Sequence, residues 1–330
     1  MRISVIGGGS WGTAISWLLS NKGYEVRLWA RESEIAEGIN TTHHNPLFLT
    51  DIELDPLVSC STDLATVLEG TEAVVFVTPS VAVPEMADKV APYLGSETPL
   101  VLLSKGIEGS GALLLDVLAE KLGNCERLAV LSGPNHAEEI SKGTLSATVI
   151  ASRAYATAEF FQELFATANF RVYTSVDTAG VQLCGAAKNI IAIACGLASG
   201  LGFGDNTAAM LMTRGLAEIS RLVIQLGGAP LTCMGLAGMG DLIVTCTSQH
   251  SRNRSFGAEL AAGKTVEDYQ ERTHMVVEGA VAAKAVCDLA EKHGVDMPIC
   301  EVVRSIIWEH MGIEDALNSL IERSFKPEFY

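Results

Sequence analysis

Ile3-Ser4-Val5-Ile6-Gly7-Gly8-Gly9-Ser10-Trp11-Gly12-Thr13 is the stretch on which the fold turns. A short apolar run suited to a buried strand leads straight into Gly7, Gly9 and Gly12, spaced G-x-G-x-x-G, and an apolar helical pattern follows without a gap. Each glycine has its own task. Gly7 permits a tight turn, Gly9 lets a pyrophosphate approach the backbone, and Gly12 lets the helix pack closely on the strand. The free amides of the helix start then face the phosphates. A glycine-rich turn with no ligand is the competing reading, and the order strand, glycines, helix favours a dinucleotide site.

Outward from this stretch, apolar runs at 26–29, 73–77, 100–103, 129–131 and 147–150 are bounded by turn residues, as expected of buried parallel strands. Helical patterns at 15–22, 83–94, 113–122 and 154–166 lie between several of them, the alternation of a doubly wound α/β sheet. Beyond about residue 178 only helical patterns remain, at 181–201, 206–226, 278–293 and 299–311. The expectation is a Rossmann-type domain over 1–180 followed by an all-α substrate-binding and catalytic domain over 181–330. The charge-free stretch 189–204 is studded with glycines and closed by Lys188 and Asp205, too short to span a membrane, and reads as a buried core helix.

A chain of 330 residues with 48% hydrophobic composition exceeds one ordinary core. Its net charge of -16 repels nucleic acid and anionic membrane surfaces, so a phosphorylated ligand must be gripped by a few local cations. Eight cysteines show neither a C-x-x-C pair nor a zinc-like spacing, and no charged segment followed by an apolar one precedes the glycines. A reduced, cytoplasmic protein without a metal is expected.

The few cations are therefore informative. Just past the second strand, Arg31 can pair with the 2′-phosphate of NADPH, whereas the neighbouring Glu32 is the kind of acid that favours NADH, so both cofactors stay open with NADPH ahead. The next strands end in Val77-Thr78-Pro79-Ser80 and Leu103-Ser104-Lys105-Gly106, which aim at the same crevice and make Lys105 a candidate ligand rather than an ordinary loop lysine. Ser132-Gly133-Pro134-Asn135-His136-Ala137 leads into a helix whose amides and Asn135 side chain suit an anionic or hydroxylated substrate, or simply cap the helix.

Lys188-Asn189 sits within the apolar run from Cys184 to Ala192. Burying an ammonium costs several kcal/mol unless its pKa falls or partners satisfy it, and a lysine tuned in this way can exchange a proton with a carbonyl or alcohol. Snorkelling to the surface is the alternative. Asp241 follows the glycine loop 235–240 and can orient such a lysine or cap a helix, with Thr245 on the same helical face. At Ser251-Arg252-Asn253-Arg254-Ser255, read as a helix start, Arg252 matches a phosphate through its bidentate fork. Arg254 is expected to face solvent, and surface ion pairs are the bland reading of the whole cluster.

Together, Gly7-x-Gly9-x-Trp11-Gly12-Thr13, Ser104-Lys105-Gly106-Ile107-Glu108, Lys188-Asn189, Gly202-Phe203-Gly204-Asp205-Asn206 and Gly240-Asp241-Leu242 through Arg252-Asn253-Arg254 resemble bacterial-type NAD(P)-dependent glycerol-3-phosphate dehydrogenase, in order, over about residues 1 to 320. The resemblance implies a cytoplasmic enzyme, usually a homodimer, that reversibly reduces dihydroxyacetone phosphate to sn-glycerol 3-phosphate for phospholipid backbones. It implies that Lys188 exchanges the proton, with Asp241 and Thr245 in its hydrogen-bond network and Lys105 touching substrate and cofactor. Cofactor contacts carry over to Ser10, Trp11, Arg31, Ala137, Arg252, Val276 and Glu278. Substrate contacts carry over to Gly133, Asn135, Asn189, Ser251, Arg252 and Asn253. Asn135 departs from the family's usual serine or threonine. A hydroxy-acid dehydrogenase, whose basic cluster would hold a carboxylate, and a non-catalytic NADPH-binding sensor are the competing functional readings.

Overall fold

The computed structural model describes residues 1–273, 276–324, 327 and 328. Its strands are β1 (Arg2–Ile6), β2 (Glu25–Trp29), β3 (Val58–Ser61), β4 (Ala73–Phe76), β5 (Leu100–Leu102), β6 (Leu128–Ser132), β7 (Ser146–Ser152) and β8 (Phe170–Ser175). Among them lie helices α1 (Ser10–Ser20), α2 (Ser33–Thr42), α3 (Leu64–Leu68), α4 (Val83–Val90), α5 (Leu114–Leu122), α6 (Ala137–Ile140) and α7 (Tyr155–Phe165). Helices alone follow: α8 (Thr178–Gly200), α9 (Asp205–Gln225), α10 (Pro230–Met234), α11 (Asp241–Thr247), α12 (Arg252–Ala261), α13 (Val266–Thr273), α14 (Glu278–Lys292), α15 (Pro298–Trp308) and α16 (Ile313–Ile321).

The eight strands form one sheet in the order β3-β2-β1-β4-β5-β6-β7-β8. Alternate side chains of the central strands feed two cores. Ile3, Val5, Val75, Val101 and Leu131 pack with Ile15, Leu18 and Phe161 of α1 and α7, while Val74, Phe76, Leu100, Leu102 and Val130 pack with Met86 and Leu118 of α4 and α5. Burial on both faces is why these strands read as continuous apolar runs.

Two features depart from the sequence reading. The run 147–150 lies in β7, which pairs antiparallel with β6, and β8 then pairs parallel with β7. The reason lies in the link from β6 to β7. Its one helix, α6, has 4 residues and spans about 6 Å, too little to carry the chain back along a strand of roughly 17 Å. The strands β3 and β8 were not expected at all. Both lie at sheet edges and alternate buried with exposed residues instead of running apolar.

In the helical half, α8 is long and apolar enough to cross a membrane by length and composition, yet its apolar window is buried inside the fold among α9, α12, α14 and α11. The core helix expected over 189–204 therefore stops early, at Gly200, where Gly202 takes a positive φ of 84° and residues 201–204 form an exposed turn. Glycines set the α8–α12 spacing. A Cβ on Gly196 would lie 2.0 Å from the Arg254 carbonyl oxygen, and one on Gly257 2.1 Å from that of Ile193. This approach brings Asn189 of α8 and Asn253 of α12 into hydrogen-bond contact, Asn253 Nδ2 donating to Asn189 Oδ1 at 2.9 Å.

Candidate active site

The strand order reverses at β1 and β4, which is where open sheets of this kind bind their ligands. Gly7 turns there with φ 130°, and a Cβ on it would press the Val77 carbonyl oxygen at 2.9 Å. A Cβ on Gly12 would sit 1.8 Å from the Gly7 oxygen, whereas nothing lies within 4 Å of one on Gly9. The first intrahelical bond of α1 runs from Thr13 N to Gly9 O at 2.9 Å, so the amides of Ser10, Trp11 and Gly12 precede the ladder. At the end of β4 the buried Thr78 Oγ1 has no partner among the described residues. Open space at Gly9, free amides and an orphaned hydroxyl fit a dinucleotide pyrophosphate.

Arg31 follows β2 with its side chain 84% exposed, and its Nη2 lies 2.6 Å from Glu32 Oε1. The two residues that argue for different cofactors thus hold one another.

The centre of the site is one carboxylate between two ammoniums. Lys188 Nζ, on α8, donates to Asp241 Oδ1 at 2.5 Å and to Thr245 Oγ1 at 2.6 Å. Lys105 Nζ, from beyond β5, donates to Asp241 Oδ2 at 2.7 Å and to the Gly133 carbonyl at 2.9 Å. Lys188, Asp241 and Thr245 are buried, so the snorkelling alternative for Lys188 does not apply. Burial pulls Lys188 down to about 8, against the attraction of Asp241 and together with repulsion from Lys105. Burial alone would raise Asp241, but Lys105 and Lys188 overcome it and hold the carboxyl below its usual range.

Local structure explains why Asp241 can reach both. Residues Leu236–Gly240 form a π-helical turn, not the open glycine loop expected, and α11 continues directly from it. Asp241 therefore enters the core as the first residue of α11 instead of capping it, and Thr245 lies one turn on. Gly185 makes room on α8: a Cβ there would meet Ser132 Oγ at 3.0 Å and Lys105 Cγ at 3.7 Å.

Around this centre, Asn135 Nδ2 donates to the Ala147 carbonyl at 3.1 Å, and its buried Oδ1 has no partner among the described residues. Ala137 begins α6 and is buried. Ser251 is the N-cap of α12, accepting from Arg254 N at 3.3 Å. Asn253 is committed inside the fold, its Oδ1 accepting from Gly279 N at 2.9 Å. Arg252 is exposed, whereas Arg254 differs from expectation: it is half-buried, because its backbone lies against Gly196 of α8.

Glu278, at the start of α14 after the half-buried Val276, is more than a first-turn acid. It accepts from Ser80 Oγ at 2.5 Å and from Ser80 N at 3.1 Å, and burial raises its carboxyl despite those bonds and the charge of Arg252. Ser80 had not been singled out, nor had Ser132, whose Oγ lies 3.4 Å from Asp241 Oδ2. His136 is a third omission. Burial holds it below its usual value, with Lys188 and Lys105 adding to the effect. All three lie in the stretches 77–80 and 132–137 that the sequence reading aimed at the crevice, where none of them was given a role of its own.

A phosphate-binding turn at the switch point and a buried lysine–carboxylate pair beside it define a nicotinamide-dependent oxidoreductase. The chain matches the sequence profiles of the NAD-dependent glycerol-3-phosphate dehydrogenase N-terminus over residues 2–158 and C-terminus over 177–318. It belongs to that family. Relatives include the NAD(P)-dependent glycerol-3-phosphate dehydrogenase of Nocardia farcinica, 46% identical over 99% of both chains, and that of Pelotomaculum thermopropionicum, also 46% identical over 98% of this chain and 93% of that one. The crystal structure of glycerol-3-phosphate dehydrogenase from Coxiella burnetii superposes with a TM-score of 0.94 at 37% identity, covering 98% of this chain and 99% of that one.

Proposed function

We propose that this enzyme reversibly reduces dihydroxyacetone phosphate to sn-glycerol 3-phosphate for glycerophospholipid synthesis, with Lys188 as general acid and base. In this reading it works in the cytoplasm as a homodimer, each subunit folding as a dinucleotide domain over 1–180 and a helical domain over 181–330. The observation that carries the proposal is the buried Lys188–Asp241–Lys105 arrangement.

A reduced nicotinamide, when bound, supplies the hydride. Gly7, Gly9 and Gly12 with the amides of Ser10 and Trp11 would hold its pyrophosphate, Arg31 would meet the adenosine end, and Ala137, Arg252, Val276 and Glu278 would line its remaining contacts. Lys188, near 8, is poised to give its proton to the carbonyl oxygen as negative charge develops and to take one back in the reverse direction. Asp241 and Thr245 fix the ammonium, so the proton travels along a defined path. Arg252, with its exposed guanidinium, grips the phosphate, and Ser251, Asn253 and Asn189 shape that end. Gly133, Asn135 and Lys105 face the hydroxyketone end, and the two grips hold the carbonyl in line for transfer. Arg31 favours NADPH over NADH by offering its fork to a 2′-phosphate.

The test is loss of reduced-nicotinamide absorbance with dihydroxyacetone phosphate, comparing NADPH with NADH and using unphosphorylated dihydroxyacetone as control. Oxidation with the phosphorylated ketone alone, abolished in Lys188→Ala, is expected. Cofactor binding without turnover, or a folded Lys188→Ala enzyme at wild-type rate, would sink the assignment.

A further inference from the structure

All eight cysteines are free, and four of them bracket the catalytic pair. On α8, Cys184 lies one turn before Lys188 and Cys195 two turns after it. Along the chain that carries the carboxylate, Cys233 precedes Asp241 and Cys246 follows Thr245. The thiols meet in pairs. Cys184 Sγ donates to Cys233 Sγ at 3.7 Å, and Cys246 hydrogen-bonds Cys195.

We propose that Cys184 and Cys233 are an oxidisable dithiol, closed to a disulfide by hydroperoxides, and that the closed form disarms the Lys188–Asp241 pair. The two thiols are unequal in a useful way. The hydrogen bond from Cys184, opposed by burial and assisted by Ser220, holds Cys233 below the usual thiol value, while Cys184 is pushed up by the same bond and by burial. Cys233 is thus the attacking thiolate and Cys184 the resolving thiol.

The chemistry balances with a hydroperoxide as oxidant. The Cys233 thiolate attacks one peroxide oxygen and the O–O bond breaks, leaving Cys233 as a sulfenic acid. The departing oxygen leaves as hydroxide, or as alkoxide from an organic peroxide, and takes up a proton. Cys184 sulfur then attacks the sulfenic sulfur. The S–S bond forms, the S–O bond breaks, and the leaving hydroxide carries off the Cys184 proton as water. Two thiols are oxidised and one peroxide is reduced.

Both sulfurs are buried, so access matters. A groove of about 390 Å³ is lined not by the sulfurs themselves but by their chain neighbours: Val181, one turn before Cys184, and Thr232, Gly235 and Leu236 on either side of Cys233. Moreover, α10 has little apolar anchorage: Cys233 is its only buried residue and Leu231 and Met234 are 82% and 59% exposed, its polar tie being Asp177, which accepts from Ala229 N at 2.8 Å and Thr232 Oγ1 at 2.6 Å. Elements with few buried contacts open at low cost.

Closure has a direct route to the site. The sulfurs must draw from 3.7 Å to about 2 Å. The π-helical turn rests on Cys233, since a Cβ on Gly238 would lie 2.1 Å from the Cys233 carbonyl oxygen. Moving Cys233 therefore moves the turn and Asp241 with it. A misplacement of about 1 Å at a catalytic centre costs on the order of 100-fold in rate.

The experiment treats the full-length protein with hydrogen peroxide and follows it by intact mass, peptide mapping under non-reducing conditions and ketone reduction. A Cys184–Cys233 bridge is expected, with at least about tenfold loss of turnover that dithiothreitol reverses. Cys184→Ala should keep its starting activity and lose the reversible inactivation, with Cys233→Ser as the second variant should the first not fold. No bridge after peroxide, a bridge with full activity, or reversible loss that persists in either variant overturns the proposal. The bridge is read by mass, so its presence or absence stands apart from the reaction assigned to the site.

Discussion

Replacing Asp241 by Asn removes one charge while nearly preserving shape, and the result is a displaced pH profile. In the native site the carboxylate sits 2.5 Å from Lys188 Nζ and 2.7 Å from Lys105 Nζ, and it opposes both burial and the repulsion from Lys105. An opposite charge at such range is typically worth about 1–3 pKa units, so two units is a central expectation. Lys188 would fall from about 8 to roughly 6. At about pH 7.5 the protonated fraction then drops from roughly three quarters to roughly 3%, a loss near 25-fold in any step that needs the ammonium. Ketone reduction measured by nicotinamide absorbance between about pH 5.5 and 9.5 should show the alkaline limb of kcat/KM moving down by about two units. Much of the lost activity should return toward pH 5.5. A variant that is uniformly weak, with its limb unmoved, would refute the electrostatic reasoning and leave Asp241 only a geometric role.

Arg252→Ala should raise KM for the phosphorylated ketone by roughly 10- to 100-fold, since hydrogen bonds to charged groups are worth about 1.5–3 kcal/mol. Little change in kcat is expected, and an unaltered KM would remove Arg252 from the phosphate grip. Gly257→Ala places a Cβ 2.1 Å from the Ile193 carbonyl oxygen, so Tm should drop with a stability cost of about 1–3 kcal/mol or more. Wild-type Tm would show that α8 and α12 can part without penalty. Glu218 of α9 accepts from Ile299 N at 2.9 Å and Cys300 N at 3.3 Å, and burial pushes it from 4.5 up to about 7. A raised carboxyl binds more protons folded than unfolded, so its stabilising contribution is full below about 4.5 and lost as pH rises through about 7. Urea unfolding of Glu218→Gln should therefore lose less stability than wild type between about pH 5.5 and 7.5, and parallel curves would contradict this.

The dinucleotide half was legible because a parallel sheet buried on both faces writes itself as apolar runs, and because the glycine spacing answers a steric demand at Gly7 and Gly12. The edge strands β3 and β8 escaped, since one face of each meets water and their alternation is short. Lys188 was legible for an energetic reason: an ammonium in an apolar helix requires a partner. Asp241 was legible as the acid that orients it, with Thr245 beside it, but the second bond to Asp241 from Lys105, 136 residues away, and the bond from Ser80 to Glu278, 198 residues away, cross distances over which local pattern is silent. Arg254 fared worst. It was expected in solvent and is half-buried where its backbone meets Gly196 of α8, a contact that the spacing of the arginines does not announce.

Because Asp241 is shared, the two lysines work as arms of a balance. An anionic ligand that captures Lys105 frees the carboxylate to serve Lys188 alone and weakens the repulsion that helps depress it. Lys188 then holds its proton more tightly than in the free enzyme. Near pH 8, where that group is half-charged when no ligand is bound, association should draw protons out of the buffer. Occupancy at one lysine would thus be written into the heat of binding as a dependence on the buffer's own ionisation enthalpy.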